Sequence, residues 1–264
     1  MIPFAIHAPP RILFGRGQAR QAGPAIAAYG RRVLLIHGAN PARADGLAGA
    51  LAQEGCALTR IACAHEPDLP LLEKTLEVAR DRACDLVVSL GGGAAIDLGK
   101  AIAALAPQST PPLDHLEAVG PALPLLAAPL PFVALPTTAG TGAEVTWNAV
   151  IDCPAHRRKV SLRDARMVAR LAIIDPALTD HCPRAVTLAS GLDAITQVIE
   201  PYLTPRATPY TDALCEKAIP SGLAALRRLM QAEDREARDQ MAWVSLSGGL
   251  ALANAGLGAV HGLA

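Results

Sequence analysis

The apolar positions of the chain change rhythm near residue 182. Before that point, short runs of branched apolar residues alternate with segments of helical spacing. Arg31-Arg32-Val33-Leu34-Leu35-Ile36-His37-Gly38 reads as a buried strand that ends in a turn. Residues 43–54 have helical composition, residues 57–62 form a candidate second strand, and residues 70–83 carry Leu72, Leu76 and Ala79 at helical spacing. Asp85-Leu86-Val87-Val88-Ser89-Leu90 is a further strand closed by Gly91, and residues 94–105 read as a helix. Residues 107–131 are proline-rich and irregular. Phe132-Val133-Ala134-Leu135 is a short strand, residues 152–158 a hairpin tip, and Ala172-Ile173-Ile174-Asp175-Pro176 a last strand with its exit turn. Strands alternating with helices predict a parallel sheet covered on both faces.

From Cys182 onward the strand signals stop. Helices are predicted over residues 187–200, over 211–231 with a break near Pro220, and over 234–253. The expected architecture is an α/β N-terminal domain with a parallel sheet, residues 1–182, followed by an all-α C-terminal domain, residues 183–264.

Composition narrows the function classes. The chain of 264 residues is 51% hydrophobic but only 3% aromatic, so Ala, Leu, Val and Ile must fill the core. A formal net charge of zero offers no basic stripe for nucleic acid. The six cysteines are scattered without a Cys-x-x-Cys pair, the usage of a reduced, cytoplasmic protein. Pro9, Pro10 and Arg11 interrupt the N-terminal stretch, so no secretory signal is read there. The longest apolar segment, residues 121–135, contains four prolines and is too short to span a bilayer.

Candidate chemistry lies at the ends of two strands. Gly91, Gly92 and Gly93 follow an apolar strand and precede a helix. Glycine lets a backbone approach a ligand closely, and a helix N-terminus directs unpaired N–H groups and partial positive charge at it. That combination suits a pyrophosphate; a tight strand-to-helix turn explains the same glycines. The segment differs from the G-x-G-x-x-G fingerprint and from that fingerprint's usual place at the first strand–helix turn. A second segment, Pro136-Thr137-Thr138-Ala139-Gly140-Thr141-Gly142-Ala143-Glu144, also follows a strand, and its hydroxyls and N–H groups could hold ribose and phosphate oxygens. A threonine-rich turn with local caps accounts for one such segment, but not for two after two parallel strands.

Gly91-Gly92-Gly93-x-x-x-Asp97-x-x-Lys100 and the 136–144 segment resemble the cofactor motifs of the iron-containing (group III) alcohol dehydrogenase family. Ser190-Gly191-Leu192-Asp193-Ala194-Ile195 resembles the start of that family's metal-binding helix, and Asn254-Ala255-Gly256-Leu257-Gly258-Ala259-Val260-His261 the segment with its third metal ligand. The likeness runs in family order along essentially the whole chain. It implies an N-terminal domain that binds NAD(P) and a C-terminal helical domain that holds a divalent metal, Fe2+ or Zn2+. It also implies interconversion of an alcohol with an aldehyde or ketone in the cleft between them. By the same resemblance Gly91, Gly92 and Gly93 contact the pyrophosphate, Thr137, Thr138 and Thr141 line the dinucleotide, and Asp97 lies nearby. Lys100 reads equally as a functional residue and as a solvated helix residue. A second copy of the chain is a candidate partner.

Three departures qualify these expectations. The family's metal set begins with Asp and a His four residues later; Asp193 and His261 fit, but Gln197 stands where the second ligand belongs. Residues four apart share a helix face, so the position is kept while the ligand becomes an amide oxygen, poorly matched to iron or zinc. The sequence stops three residues after His261, where the family continues to another cleft histidine and a fourth ligand, so a fragment or a truncated relative is expected. Such a cut should leave apolar faces of residues 243–263 uncovered. Finally, many family members place an Asp after the first strand to bind the adenosine ribose, whereas this chain has His37-Gly38-Ala39-Asn40. Gly38 and Asn40 then border the cofactor, and Arg43 either pairs with a 2′-phosphate or faces solvent. Metal-independent reduction of the maleylacetate reductase type, or dinucleotide binding without turnover, are the alternatives.

Overall fold

The computed structural model describes residues 3–263. Among the described residues, eight strands and eight α-helices follow in order: β1 (Ile12–Phe14), α1 (Gly23–Ala27), β2 (Arg32–His37), α2 (Asp45–Gln53), β3 (Ala57–Ala62), α3 (Leu69–Asp81), β4 (Leu86–Gly91), α4 (Gly93–Leu105), β5 (Phe132–Pro136), β6 (Asn148–Cys153), β7 (Arg158–Arg163), β8 (Leu171–Ile174), α5 (Arg184–Leu203), α6 (Pro209–Gln231), α7 (Arg235–Ala255) and α8 (Ala259–Leu263). Six strands form one sheet in the order β1-β8-β5-β4-β2-β3, and every pairing in it is parallel. The apolar runs of β2, β4 and β5 are continuous rather than alternating because helices cover both faces. Leu34, Ile36, Val87 and Ala134 face α3 and α4; Val33, Leu35, Val88 and Val133 face α1 and α2. β6 and β7 form a separate antiparallel hairpin, whose Ala149, Ile151, Val160 and Leu162 close the core beside α4.

The C-terminal part is α5, α6 and α7 packed on one another through Ala194, Val198, Ala218, Ala225, Met241 and Val244. α7 also docks on the sheet side, where Ala242, Leu246 and Leu250 meet Val145, Ala172 and Ile174. A close backbone crossing makes this docking possible. Gly142 takes a left-handed φ of +59°, and a Cβ there would lie 2.5 Å from Gly249 Cα. A Cβ on Gly249 would lie 2.5 Å from the Gly142 carbonyl oxygen.

Several sequence expectations change. β1 lies in a stretch to which the sequence assigned no element; it pairs with β8 at the sheet edge and is only three residues long, too short to show a period. α6 runs unbroken through Pro220. The packing of Gly222 against Ile195 and Val244 holds the helix beyond the proline, and this outweighs the lost hydrogen bond. Residues 243–263 are not left uncovered as a whole: Val244, Leu246, Leu250 and Ala251 are buried. Trp243, Val260 and Leu263 do stay exposed, and a further exposed apolar surface lies between α5 and α6, where Leu188, Leu192 and Leu223 line an open groove. Among the described residues no helix is long and apolar enough to cross a membrane.

Gly249→Ala should lower the urea midpoint by the equivalent of about 1–3 kcal/mol, because the added methyl meets fixed backbone rather than a movable side chain. Gly49→Ala, in the exposed face of α2 with no atom within 4 Å of the new Cβ, should raise stability by roughly 0.5–1 kcal/mol. Equal effects of the two substitutions in chemical denaturation would contradict the close crossing.

Candidate active site

The chain leaves β2 for β3 on one side and returns to β4 on the other, so the sheet's topological switch point lies between β2 and β4. Ligands of open parallel sheets bind in the crevice beyond the strand ends at this place. Gly38 follows β2, and Gly91 closes β4. The two are adjacent: a Cβ on Gly91 would lie 3.4 Å from the Gly38 nitrogen. A Cβ on Gly38 would meet no atom within 4 Å, so its face of the turn opens to the crevice. Asn40 turns its side-chain oxygen to the Ala42 N–H at 3.1 Å and caps the short turn that leads to α2. Arg43 is exposed, and its guanidinium donates to the Leu178 carbonyl.

Gly92 is the N-cap of α4, with extended backbone (φ −73°, ψ −174°) and no capping side chain. The first-turn N–H groups of this 13-residue helix therefore point into the crevice without a side-chain partner. The three glycines differ in why they are glycine. A Cβ on Gly91 would lie 2.5 Å from Ala95 Cβ, and one on Gly93 would lie 2.8 Å from Thr141 Cγ2. Close packing alone requires both. A Cβ on Gly92 would reach only 3.4 Å from Thr138 Oγ1, so the protein itself tolerates a side chain there.

The loop after β5 is wedged between this turn and the helical part. Thr137 donates its N–H to the Gly91 carbonyl at 2.9 Å, and Thr141 Oγ1 accepts from Ala143 N at 3.3 Å. On the other side a Cβ on Gly140 would lie 2.6 Å from Ser190 Cβ in the second turn of α5. Thr137, Thr138 and Thr141 thus stand beside Gly91, Gly92 and Gly93, as the two sequence motifs imply.

Below the turn lies a buried charge cluster. Lys100 is 1% exposed; its Nζ stands 3.1 Å from Asp97 Oδ1 and donates to Thr146 Oγ1 at 2.8 Å. The solvated reading of Lys100 is therefore wrong: the i,i+3 spacing points the ammonium at a carboxylate under the hairpin. Asp97 Oδ2 accepts from Val150 N at 3.1 Å, so both oxygens of this expected cofactor contact are engaged by protein donors. Burial pushes the Asp97 carboxyl above its ordinary value, against the opposing pull of Lys100. Glu144, which the sequence reading assigned no role, is 2% exposed, and burial pushes its carboxyl up to about 7.

On the helical side, Asp193 and Gln197 lie one turn apart on α5, and His261 lies on α8. His261 Nε2 stands 3.0 Å from Asp193 Oδ1. Gln197 is buried rather than on the helix surface, and its Oε1 has no hydrogen-bond partner. A fourth residue, Glu200, was missed: its Oε2 meets His261 Nδ1 and its Oε1 accepts from Val260 N at 2.7 Å. Burial pushes the Glu200 carboxyl up, but the bonds from His261 and the Val260 and Gly258 N–H groups outweigh this and hold it below the ordinary value. Its signal was present in the sequence as the next same-face position of α5, seven residues after Asp193. Among the described residues no group of three or more His, Cys, Asp or Glu is gathered to hold a metal ion. Two donors in contact and one buried, unpartnered amide oxygen nevertheless fit a divalent cation, with the amide as the hard, weak member of the set.

The doubly wound sheet, the glycine turn at its switch point and the helical bundle define an α/β protein with a helical second half. Models of two families match it: iron-containing alcohol dehydrogenase over residues 9–176, and the C-terminal part of the Fe-containing alcohol dehydrogenase family over residues 187–264. The chain belongs to the iron-containing alcohol dehydrogenase family. It is 40% identical over 200 residues to long-chain-alcohol dehydrogenase 1 of Geobacillus thermodenitrificans, an alignment covering 75% of this chain and 50% of that protein. It is 33% identical over 261 residues to the NAD-dependent methanol dehydrogenase of Bacillus methanolicus, covering 97% and 68%. A crystal structure of 1,3-propanediol oxidoreductase superposes with a TM-score of 0.90 at 29% identity, covering 98% of this chain and 69% of that one. The chain thus spans between half and about two thirds of the length of these relatives.

Glu144 generates a pH-dependent prediction. Its folded value of about 7 lies above the ordinary 4.5, so the folded state binds the proton more tightly. Stability from this group is fully present below about 4.5 and is lost as pH rises towards about 7. Glu144→Gln should therefore gain on wild type by on the order of 3 kcal/mol between about pH 4 and about pH 8. Urea midpoints at the two pH values check this, and a constant difference between the proteins would contradict it.

Proposed function

We propose that this chain carries the dinucleotide and metal sites of an NAD(P)-dependent oxidoreductase that interconverts an alcohol and an aldehyde or ketone. The observation that carries the reading is the uncapped α4 N-terminus at the switch point, flanked by the open Gly38 turn on one side and by Thr137, Thr138 and Thr141 on the other. Gly92 and the first-turn N–H groups of α4 would hold the pyrophosphate, while Gly91 and Gly93 let the turn and the threonine loop close on each other. Gly38 and Asn40 would border the adenosine ribose. No carboxylate projects from Gly38 to repel a 2′-phosphate, so the reading covers NADP(H) as well as NAD(H).

When bound, a nicotinamide cofactor would supply the hydride chemistry, and a divalent metal, Fe2+ or Zn2+, would supply Lewis-acid polarisation of the substrate oxygen. Asp193, His261 and Gln197 would hold that metal. The buried Asp97–Lys100 pair and Thr146 fix α4 against the hairpin and so orient the phosphate turn. A cleft of about 390 Å³ between the two parts, lined by Trp147, Asn148, Arg163, Arg206, Asn254 and Leu257, would receive the substrate.

Gly92→Ala tests the reading, because the protein tolerates the methyl and a phosphate does not. Thermal unfolding should be nearly unchanged, whereas NADH affinity in a fluorescence titration should fall about tenfold or more, equivalent to one or two lost phosphate hydrogen bonds. Undiminished affinity for both NADH and NADPH would sink the phosphate-cradle reading.

A further inference from the structure

Glu200 completes a stripe on α5 in which Asp193, Gln197 and Glu200 stand at i, i+4 and i+7 on one helix face. It is 8% exposed, and it meets α8 with both carboxylate oxygens. Oε1 accepts from Val260 N at 2.7 Å, and Oε2 meets His261 Nδ1. A Cβ at Gly258 would lie 2.9 Å from Glu200 Oε1, so the approach depends on glycine at that position. The other ring nitrogen, Nε2, faces Asp193 Oδ1 at 3.0 Å.

A neutral imidazole has one proton for two nitrogens, and here both nitrogens face carboxylates. The two carboxylates are not equivalent. The Asp193 side chain is 31% exposed and can be solvated, whereas that of Glu200 is 8% exposed. Without a proton from His261, Glu200 Oε2 would be a buried, charged acceptor robbed of its imidazole donor, which costs more than leaving the more accessible Asp193 carboxylate to water. The proton therefore belongs on Nδ1.

We infer that Glu200 is a positioning residue for His261, holding the imidazole proton on Nδ1 so that the Nε2 lone pair is directed to Asp193 and the metal position. The inference builds on the reading of Asp193 and His261 as metal ligands. In it Glu200 touches neither metal nor substrate. It selects the tautomer and the ring orientation, as carboxylates behind metal-binding histidines do. The same side chain fastens α8 to α5 through the Val260 N–H, which keeps His261 over the stripe.

Two-bond proton–nitrogen correlation spectra of the nitrogen-15-labelled full chain read the tautomer directly, at alkaline pH where imidazole is neutral. The His261 signal is assigned by its loss in His261→Gln. Wild type should show the Nδ1–H form alone. Glu200→Gln keeps the shape but presents one donor and one acceptor face, and should populate the Nε2–H form; Glu200→Ala should give a mixture. Cobalt(II) titration gives the second readout: Glu200→Gln should bind cobalt roughly tenfold or more weakly, with unchanged far-UV circular dichroism. A pure Nδ1–H form in both variants, with cobalt affinity equal to wild type, would overturn the inference and reduce Glu200 to a helix fastener. If wild type binds no cobalt while the tautomer still follows Glu200, the positioning role stands and the metal reading fails.

Discussion

The loop of residues 136–146 is the constraint on which both halves of the structure depend. It is pressed against the glycine turn of residues 91–93 on one side and against α5 and α7 on the other, at separations that a Cβ would violate. Gly93 admits Thr141, Gly140 admits Ser190, and Gly142 with Gly249 admits one backbone beside another. Because interiors are close-packed, such contacts transmit position rather than absorb displacement. The loop therefore sets how the helical part stands over the sheet, and with it the distance between the crevice beyond β2 and β4 and the Asp193–His261 pair.

Burying this loop also buries charge. Lys100 and Asp97 lie beneath it, and their arrangement follows the logic of a buried pair: each partner is tolerated because donors and acceptors meet it; Glu144 is buried within the loop itself. Lys100 satisfies Asp97 and Thr146, and the hairpin contributes the Val150 N–H. On the helical side the same rule operates through Glu200, His261 and Asp193. Gln197 Oε1 is one exception, a buried acceptor without a donor, and it sits one helical turn after Asp193 on α5.

Much of the architecture was legible because its signals are local. Continuous apolar runs marked β2, β4 and β5 as strands buried on two faces, and the loss of strand signals after Cys182 marked the helical part. The short edge strand β1 carries too few residues for a period, and the continuity of α6 through Pro220 comes from tertiary packing. In the site, the glycine turn and the threonine loop were readable as motifs, but their division of labour was not. Only the fold shows that Gly91 and Gly93 answer to Ala95 and Thr141 while Gly92 stays open. Glu144 escaped because a carboxylate in sequence gives no sign of what it will face; Glu200 shares the Asp193 face by its spacing, but its partner, an imidazole 61 residues away, shows only in the fold.

The proposed function rests on dinucleotide entering the crevice between the Gly38 turn and the α4 N-terminus. Hydrogen exchange of the full chain with and without NADH measures this most directly, since phosphate and ribose contacts would protect backbone amides that the helix leaves unpaired. The account predicts slowed exchange in residues 38–40, 91–96 and 137–142, with little change in α6. Protection elsewhere, or saturating NADH that leaves residues 91–96 exchanging as before, would contradict it.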